Sequence, residues 1–219
     1  MELSMFLRLL RRMSPKAKID VIEKLTAMAI GEENETDCKE GEISSILVVV
    51  LTELSKDEEW IVRYYVAENL NTPVLVLMKL STDKRSEVRS KVVDNPNTPV
   101  SVLTELSLEN DWRVRYALAS NPRTPPAVLT ELSKHEDKSV RRSVAANPAT
   151  PAEVLTNLSK DKDENVRKNV AANPATPAEV LTKLSKDKDE KVRCNVAVNS
   201  CYAKFKFPKR IINFWGERN

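Results

Sequence analysis

Six arginines recur at a fixed interval and are the side chains best suited to bind an anion. They stand 26 residues apart, at Arg63, Arg89, Arg115, Arg141, Arg167 and Arg193. A regular row of guanidinium groups could bind the phosphates or carboxylates of a partner. It could also pair with loop acids such as Asp57, Asp83 and Asp161 and so join neighbouring repeats. We favour this second interpretation, because an apolar valine precedes the arginine in every copy.

Two further residue types keep the same interval. The leucines are Leu54, Leu80, Leu106, Leu132, Leu158 and Leu184, and the asparagines are Asn69, Asn95, Asn121, Asn147, Asn173 and Asn199. A fixed period of this size indicates stacked repeats, each too small to bury its apolar face alone. Asparagine hydrogen-bonds readily to nearby backbone, so we predict a helix cap or a hydrogen bond between repeats at each asparagine.

Aromatic residues occupy equivalent positions in two of the repeats. Trp60 and Trp112 precede the repeated arginine by three residues, Tyr64 and Tyr116 follow it by one, and Tyr65 adds to the first group. The Trp and Tyr of each pair are four residues apart and therefore share one face of a helix. That face borders the predicted buried stripe without being its centre.

Later repeats carry charged residues at the same positions. Lys138 and Glu164 replace the Trp, and Arg142 and Lys168 replace the Tyr. A position that tolerates charge is at least partly exposed, and a half-exposed Trp/Tyr pair is typical of a binding hot spot. We predict that the binding residues are Trp60, Tyr64, Tyr65, Trp112, Tyr116 and Arg142. The alternative is that the aromatic rings pack between the helices of adjacent repeats.

The sequence contains no recognisable catalytic or metal-binding motif. GxSxG, phosphate-loop and HExxH patterns are absent, and His135 is the only histidine. Cys38, Cys194 and Cys201 form no CxxC pair, which fits a reducing, cytoplasmic setting. We therefore expect no enzymatic activity, no metal and no cofactor.

One copy, residues 150–175, predicts two short helices. Thr150 and Glu153 match a capping box with Pro151 at the first helical position, and the first helix is expected to run to about Ser159. The second helix, α or 3₁₀, is expected to begin near Glu164 and to end at the Asn-Pro pair of residues 173–174. The expected buried positions are Val154, Leu155, Leu158, Val166, Val170 and Ala171.

The NPxTPxxVLxxLS opening and VRxxVAxNP close of each copy resemble the leucine-rich repeat variant family over about residues 43–201. The resemblance implies an all-α fold, a right-handed α-solenoid of about six 26-residue two-helix repeats. The best-known member of that family carries an iron–sulfur cluster bound by N-terminal cysteines. The N-terminal region here contains only Cys38, so the resemblance implies no cofactor for this chain.

The ends of the chain depart from the repeat. We predict an N-terminal helical cap and acidic loop at residues 1–42, with helices over 3–13 and 16–30, then the solenoid at 43–201 and a basic-aromatic C-terminal cap at 202–219. Nucleic-acid stacking or a membrane-surface anchor are the alternatives for the C-terminal segment. The chain has no apolar run of membrane-spanning length, and we do not expect membrane-surface contact by the N-terminal helix.

These features predict a non-enzymatic scaffold that binds a protein or peptide along its second helices. The alternative is a nucleic-acid binder, similar to HEAT-like alkylpurine DNA glycosylases, with Asp111, Trp112, Arg113 and Arg115 as the analogous cluster. The net charge of only +3 argues against a nucleic-acid groove. A third interpretation is a structural array without a dedicated partner.

Overall fold

The computed structural model describes residues 3–30 and 40–205, with side chains over 3–30 and 41–200. All regular secondary structure within these ranges is α-helical. The helices are α1 Leu3–Arg12, α2 Pro15–Ala29, α3 Glu40–Leu54, α4 Trp60–Glu68, α5 Val74–Leu80, α6 Ser86–Asp94, α7 Val100–Leu106, α8 Trp112–Ser120, α9 Pro126–Leu132, α10 Lys138–Ala146, α11 Ala152–Leu158, α12 Glu164–Ala172, α13 Ala178–Leu184 and α14 Glu190–Phe205. The predicted all-α fold and paired helices are confirmed.

The chain divides into two compact units, Met1–Asn121 and Pro122–Asn219. Unit 1 contains α1 to α8, and unit 2 contains α9 to α14. The predicted boundaries at residues 42 and 201 stay predictions. Most of the predicted acidic loop and of the C-terminal segment 202–219 lies outside the described residues.

Each repeat buries its two apolar stripes against its neighbours. In the copy around residue 158, Val154, Leu155 and Leu158 of α11 are buried, as are Val166 and Val170 of α12. The second helices are α-helical, and α12 ends at Ala172, one residue before the Asn-Pro pair. The helical periodicity therefore identified the buried positions correctly.

The predicted capping box is wrong. Helix α11 begins at Ala152 with Pro151 as its N-cap, and no side chain caps it. The Thr150 hydroxyl instead donates to the Val144 carbonyl, 2.6 Å away, near the end of the preceding second helix. Thr98 and Thr176 do the same to Val92 and Val170. The threonine is buried because it closes the previous helix, so its hydroxyl is not available to the next one.

Second helices pack side by side within each unit. In unit 1, α6 lies between α4 and α8, and in unit 2, α12 lies between α10 and α14. At the N-terminal side of unit 1, α2 packs against α3 and α4. Each unit therefore presents one surface built from three second helices and the side chains they expose.

None of the described helices is both long enough and apolar enough to cross a membrane.

Candidate binding surface

The repeated arginines are used to join repeats. The Arg167 Nε and Nη2 donate to the two Asp187 carboxylate oxygens at 2.7 and 3.0 Å, and its Nη1 donates to the Asp161 carbonyl. Arg63–Asp83 and Arg141–Asp161 form the same fork, and all six side chains are at most 10% exposed. Such bidentate geometry is the strong form of an ion pair. The arginines therefore belong to the internal structure, as predicted.

Three of the six arginines depart from this pattern, and so does Asp57. Arg89 pairs with Glu109, and Arg115 donates to the Glu109 carbonyl and the Asn110 side chain. Arg193, in the last helix, is exposed and donates to loop carbonyls. Asp57 is bound by Lys18 of α2 at 2.6 Å, so a lysine of the N-terminal region takes the role that arginine has elsewhere.

The repeated asparagines form a second internal series. The Asn173 Nδ2 donates to the carbonyls of Ala145 and Asn147 at 2.8 and 2.9 Å, while its Oδ1 accepts the N–H of Ala175. Asn95 makes the equivalent bonds to the repeat before it. Asn95 and Asn173 thus cap their own helix ends and join two repeats, as predicted. Asn199 makes the same bonds to the repeat before it from inside α14, and Asn69 donates to Thr26 of α2.

His135 replaces the loop aspartate in one repeat and keeps part of its function. Its Nδ1 accepts the N–H of Asp137 at 3.0 Å. In two other repeats the Oδ1 atoms of Asp83 and Asp161 accept the corresponding N–H. The histidine is therefore a turn residue in this structure.

The aromatic group of α4 is half-buried and contacts cations of the next repeat. The rings of Trp60 and Tyr64 meet edge to face with centroids 6.3 Å apart, and Tyr65 packs on Tyr64 at 5.6 Å. Arg85 lies over the Trp60 ring at 4.9 Å, and Lys91 lies over the Tyr64 ring at 5.2 Å. These rings contribute to packing between repeats as well as to the surface.

The aromatic pair of α8 is more exposed. Trp112 is 58% exposed and Tyr116 is 40% exposed. The Arg113 guanidinium lies over the Trp112 ring at 4.8 Å. The opposite face of α8 is buried through Val114, Ala117 and Leu118, so the helix presents the pair from a fixed position.

We call the exposed face of α4, α6 and α8 the aromatic surface, and that of α10, α12 and α14 the polar surface. The structure groups Trp60, Tyr64 and Tyr65 on α4 and sets Trp112 and Tyr116 on α8. Arg142 is exposed on α10. The polar surface carries Lys138 and Arg142 on α10, Glu164 and Lys168 on α12, and Glu190 and Cys194 on α14. Arg142 is thus in unit 2, whereas the other five predicted binding residues are in unit 1.

Sequence reasoning missed Arg85 and Lys91, the two cations that cover the α4 rings. Arg85 is the N-cap of α6 and makes no side-chain cap bond. In later repeats the same position holds an aspartate that does cap its helix, as Asp137 and Asp163 do. A departure from a repeated capping residue was the signal that could have identified Arg85.

The cluster proposed for DNA recognition is mostly used internally. The Asp111 carboxylate accepts the N–H of Arg113 at 2.8 Å and caps α8. Burial raises the pKa of the Asp111 carboxyl, but hydrogen bonds from the Arg113 N–H and the Ser86 hydroxyl outweigh burial and leave this pKa below its ordinary value. Arg115 is bound to its loop, which leaves Arg113 and Trp112 as the exposed members.

Among the residues with described side chains, no group of three or more His, Cys, Asp or Glu is placed to hold a metal ion.

The helical pairs and their repeated cross-links define the class of this protein: an α-solenoid repeat protein. Residues 164–189 match the family model described as leucine rich repeat variant. This match, which covers one copy of the repeat, confirms the resemblance predicted from the sequence.

One solved structure agrees with this fold. A leucine-rich repeat variant with a novel repetitive structural motif is 24% identical, with 92% of this chain and 84% of that chain covered and a TM-score of 0.57. A designed armadillo repeat protein is 17% identical over 90% of this chain and 98% of that chain, with a TM-score of 0.39. No curated protein matches the sequence.

Proposed function

We propose that this chain is a non-enzymatic scaffold that binds a protein or peptide segment on the aromatic surface of unit 1. The observation that carries the proposal is the exposure of Trp112 and Tyr116 on a helix whose other face is buried. Trp and Tyr dominate the energetics of protein interfaces because they bury a large apolar area and lose little rotamer freedom. A solenoid holds such residues in place without a rearrangement on binding.

The six predicted residues would contribute in different ways. Trp112 and Tyr116 would be covered directly by the partner. Trp60, Tyr64 and Tyr65 would supply the half-buried side of this surface. Arg142 lies on unit 2 and would offer a polar contact there. The exposed free thiol of Cys194 fits a reducing compartment, so we propose the cytoplasm as the location.

A displayed library of random peptides tests this proposal, with wild-type protein as the target. Trp112→Ala should weaken the selected peptides by about tenfold or more, since truncating a hot-spot aromatic costs about 2 kcal/mol. Lys138→Ala is the matched control, because Lys138 occupies the Trp112 position of the next repeat. It should leave the affinity unchanged.

Melting by circular dichroism separates loss of binding from loss of folding. Both variants should melt close to the wild type, because each residue is exposed. Peptides that bind the Trp112→Ala variant as well as the wild type, or a selection that enriches none, would contradict the proposal. Steeply salt-dependent binding of a fluorescent DNA duplex, lost in Trp112→Ala, would favour a nucleic-acid function instead.

A further inference from the structure

A continuous row of contacts crosses the three second helices of unit 1. Arg85 lies over Trp60 at 4.9 Å, and its Nε is 3.3 Å from the Glu87 carboxylate. Glu87 is 3.8 Å from Arg113, which lies over Trp112 at 4.8 Å. The order is therefore Trp60, Arg85, Glu87, Arg113, Trp112, with one carboxylate between two stacked guanidinium groups.

The two arginines of this row are held in place but weakly paired. Their carboxylate contacts lie between 3.3 and 4.0 Å, against 2.7 Å for the buried Arg167–Asp187 pair. Their side chains are 44% and 40% exposed. Stacking on a ring uses the face of a guanidinium and leaves the donors at its edge directed outward in its plane. Both arginines can thus accept a better-placed carboxylate.

The Glu87 carboxylate lies between the two arginines. It accepts hydrogen bonds from the Arg85 Nε and Nη2 at 3.3 and 3.4 Å, both longer than the usual range of about 2.7–3.2 Å. A hydrogen bond from its own backbone N–H and the charges of the two arginines lower the pKa of the Glu87 carboxyl, so this group stays ionised beside the start of α6.

We propose that this row recognises a short acidic peptide segment: one Asp or Glu carboxylate bridges Arg85 and Arg113, and apolar side chains on either side pack on Trp60 and Trp112. This inference rests on the proposed function and names the chemistry of its partner. Packed helices lie about 8–10 Å apart, so two steps from α4 to α8 span about 16–20 Å. An extended chain rises about 3.3 Å per residue, so the two apolar anchors are about five or six residues apart.

The charges of the row favour one carboxylate over a polyanion. Glu59 is exposed beside Trp60, and Glu87 and Asp111 also lie along the row. Because three carboxylates lie among the two guanidinium groups, a nucleic acid or a phosphate dianion would meet more repulsion here than a single carboxylate would. A single side-chain carboxylate between the arginines gains two charge-assisted hydrogen bonds and brings the least added repulsion.

Two matched peptide libraries test the inference. Both contain peptides of about eleven random residues, long enough to span the anchors on either side of a fixed centre. The central residue is Glu in one library and Gln in the other. Wild-type protein should enrich the Glu library about tenfold over the Gln library, in line with the strength of charge-assisted bonds. The double variant Arg85→Gln with Arg113→Gln should lose this preference.

A control variant corrects for the change in net charge. Lys138→Gln with Lys191→Gln removes two exposed positive charges from unit 2, and it should keep the preference for the central Glu. Circular dichroism should show that both double variants stay folded, because all four side chains are at least two-fifths exposed or lie at exposed positions.

The outcomes distinguish a failure of the acidic-peptide inference from a failure of the proposed function. Equal enrichment of both libraries, with binding still dependent on Trp112, would overturn the acidic-peptide inference and leave the proposed function standing. Peptides that bind independently of Trp112 would overturn both. Displacement of the selected peptides by a short DNA duplex at physiological salt would also overturn the inference, because it would show a site for polyanions.

Discussion

The aromatic surface of unit 1 and the polar surface of unit 2 occupy the same positions of the same repeat. Where α4 and α8 carry Trp60 and Trp112, α10 and α12 carry Lys138 and Glu164. Beneath both surfaces the same fork occurs, as Arg63–Asp83 in unit 1 and as Arg141–Asp161 and Arg167–Asp187 in unit 2. Each second helix therefore uses some positions to join neighbouring repeats and other positions to form the exposed surface.

This difference shows which side chains maintain the stack and which are free to vary. In unit 2 the copies 147–172 and 173–198 differ at only four positions, among them Lys168/Cys194 on the second helix. Unit 1 varies far more at the exposed positions and keeps its buried valines, such as Val62, Val88 and Val114. Variable exposed positions above constant buried valines fit the proposed scaffold with one specialised surface.

The largest effect we predict comes from the cross-links. Arg167→Ala leaves Asp187 buried without its partner and should lower the free energy of unfolding by about 3–5 kcal/mol. Arg193→Ala is the matched control: Arg193 has the same repeat position but is exposed and bonds only loop carbonyls among the described contacts. It should cost about 1 kcal/mol or less. Urea unfolding measures both values, and equal losses would show that the fork contributes little.

Acid should weaken the cross-links of both units. Hydrogen bonds from Arg167 and the Asp189 N–H outweigh burial and hold the pKa of the Asp187 carboxyl below its ordinary value of 3.8. For Asp83 burial raises the pKa, but the bonds from Arg63 and the Arg85 N–H lower it further. A carboxyl with a lowered folded-state pKa stabilises the protein above its unfolded pKa, and this contribution is lost as the pH falls through the folded pKa.

We therefore expect the melting temperature to fall below pH 3.8, the ordinary value for these aspartates. Asp187→Asn should be less stable at neutral pH and should show a shallower decline in acid, because one of the titrating groups is gone. Thermal melts followed by circular dichroism across this range test the expectation. A decline as steep in the variant as in the wild type would exclude Asp187 as a source of the acid sensitivity.

The two tryptophans of the aromatic surface should differ in their effect on stability. Trp60 packs edge to face on Tyr64 and lies under Arg85, so Trp60→Ala should cost about 1–2 kcal/mol. Trp112 is 58% exposed, so Trp112→Ala should cost about 0.5 kcal/mol or less. Urea unfolding midpoints of the two variants test this order. The reverse order would mean that Trp112 is a packing residue and would remove the main support for the proposed surface.

The sequence predicted the fold because the period of the apolar residues and the Asn-Pro stops are local signals. It also predicted the role of the arginines, because a guanidinium next to a buried valine is itself close to the core and needs a carboxylate partner there. The prediction for Thr150 was wrong, because the same Thr-Pro sequence is compatible with two structures. The threonine can cap the helix that follows, or it can hydrogen-bond to the end of the helix before it, as it does here. The sequence did not reveal that Arg85 covers Trp60, because that contact joins two repeats and depends on the packing of α4 against α6.

The smallest effect we predict concerns Arg142, the one predicted binding residue on the polar surface. Its side chain is exposed, so Arg142→Ala should leave the free energy of unfolding within about 0.5 kcal/mol of the wild type. It should weaken a peptide bound by the scaffold by about two- to threefold, as expected for the loss of one exposed polar contact. Fluorescence anisotropy of a labelled selected peptide measures the change.

Lys168→Ala is the matched control, because Lys168 takes the Arg142 position in the next repeat and carries the same charge. A loss confined to Arg142→Ala would indicate a specific contact between the peptide and Arg142. Equal losses would indicate a general effect of positive charge, which added salt would abolish. A loss greater than that of Trp112→Ala would reverse the comparison, since the polar surface would then carry more of the binding energy than the aromatic one.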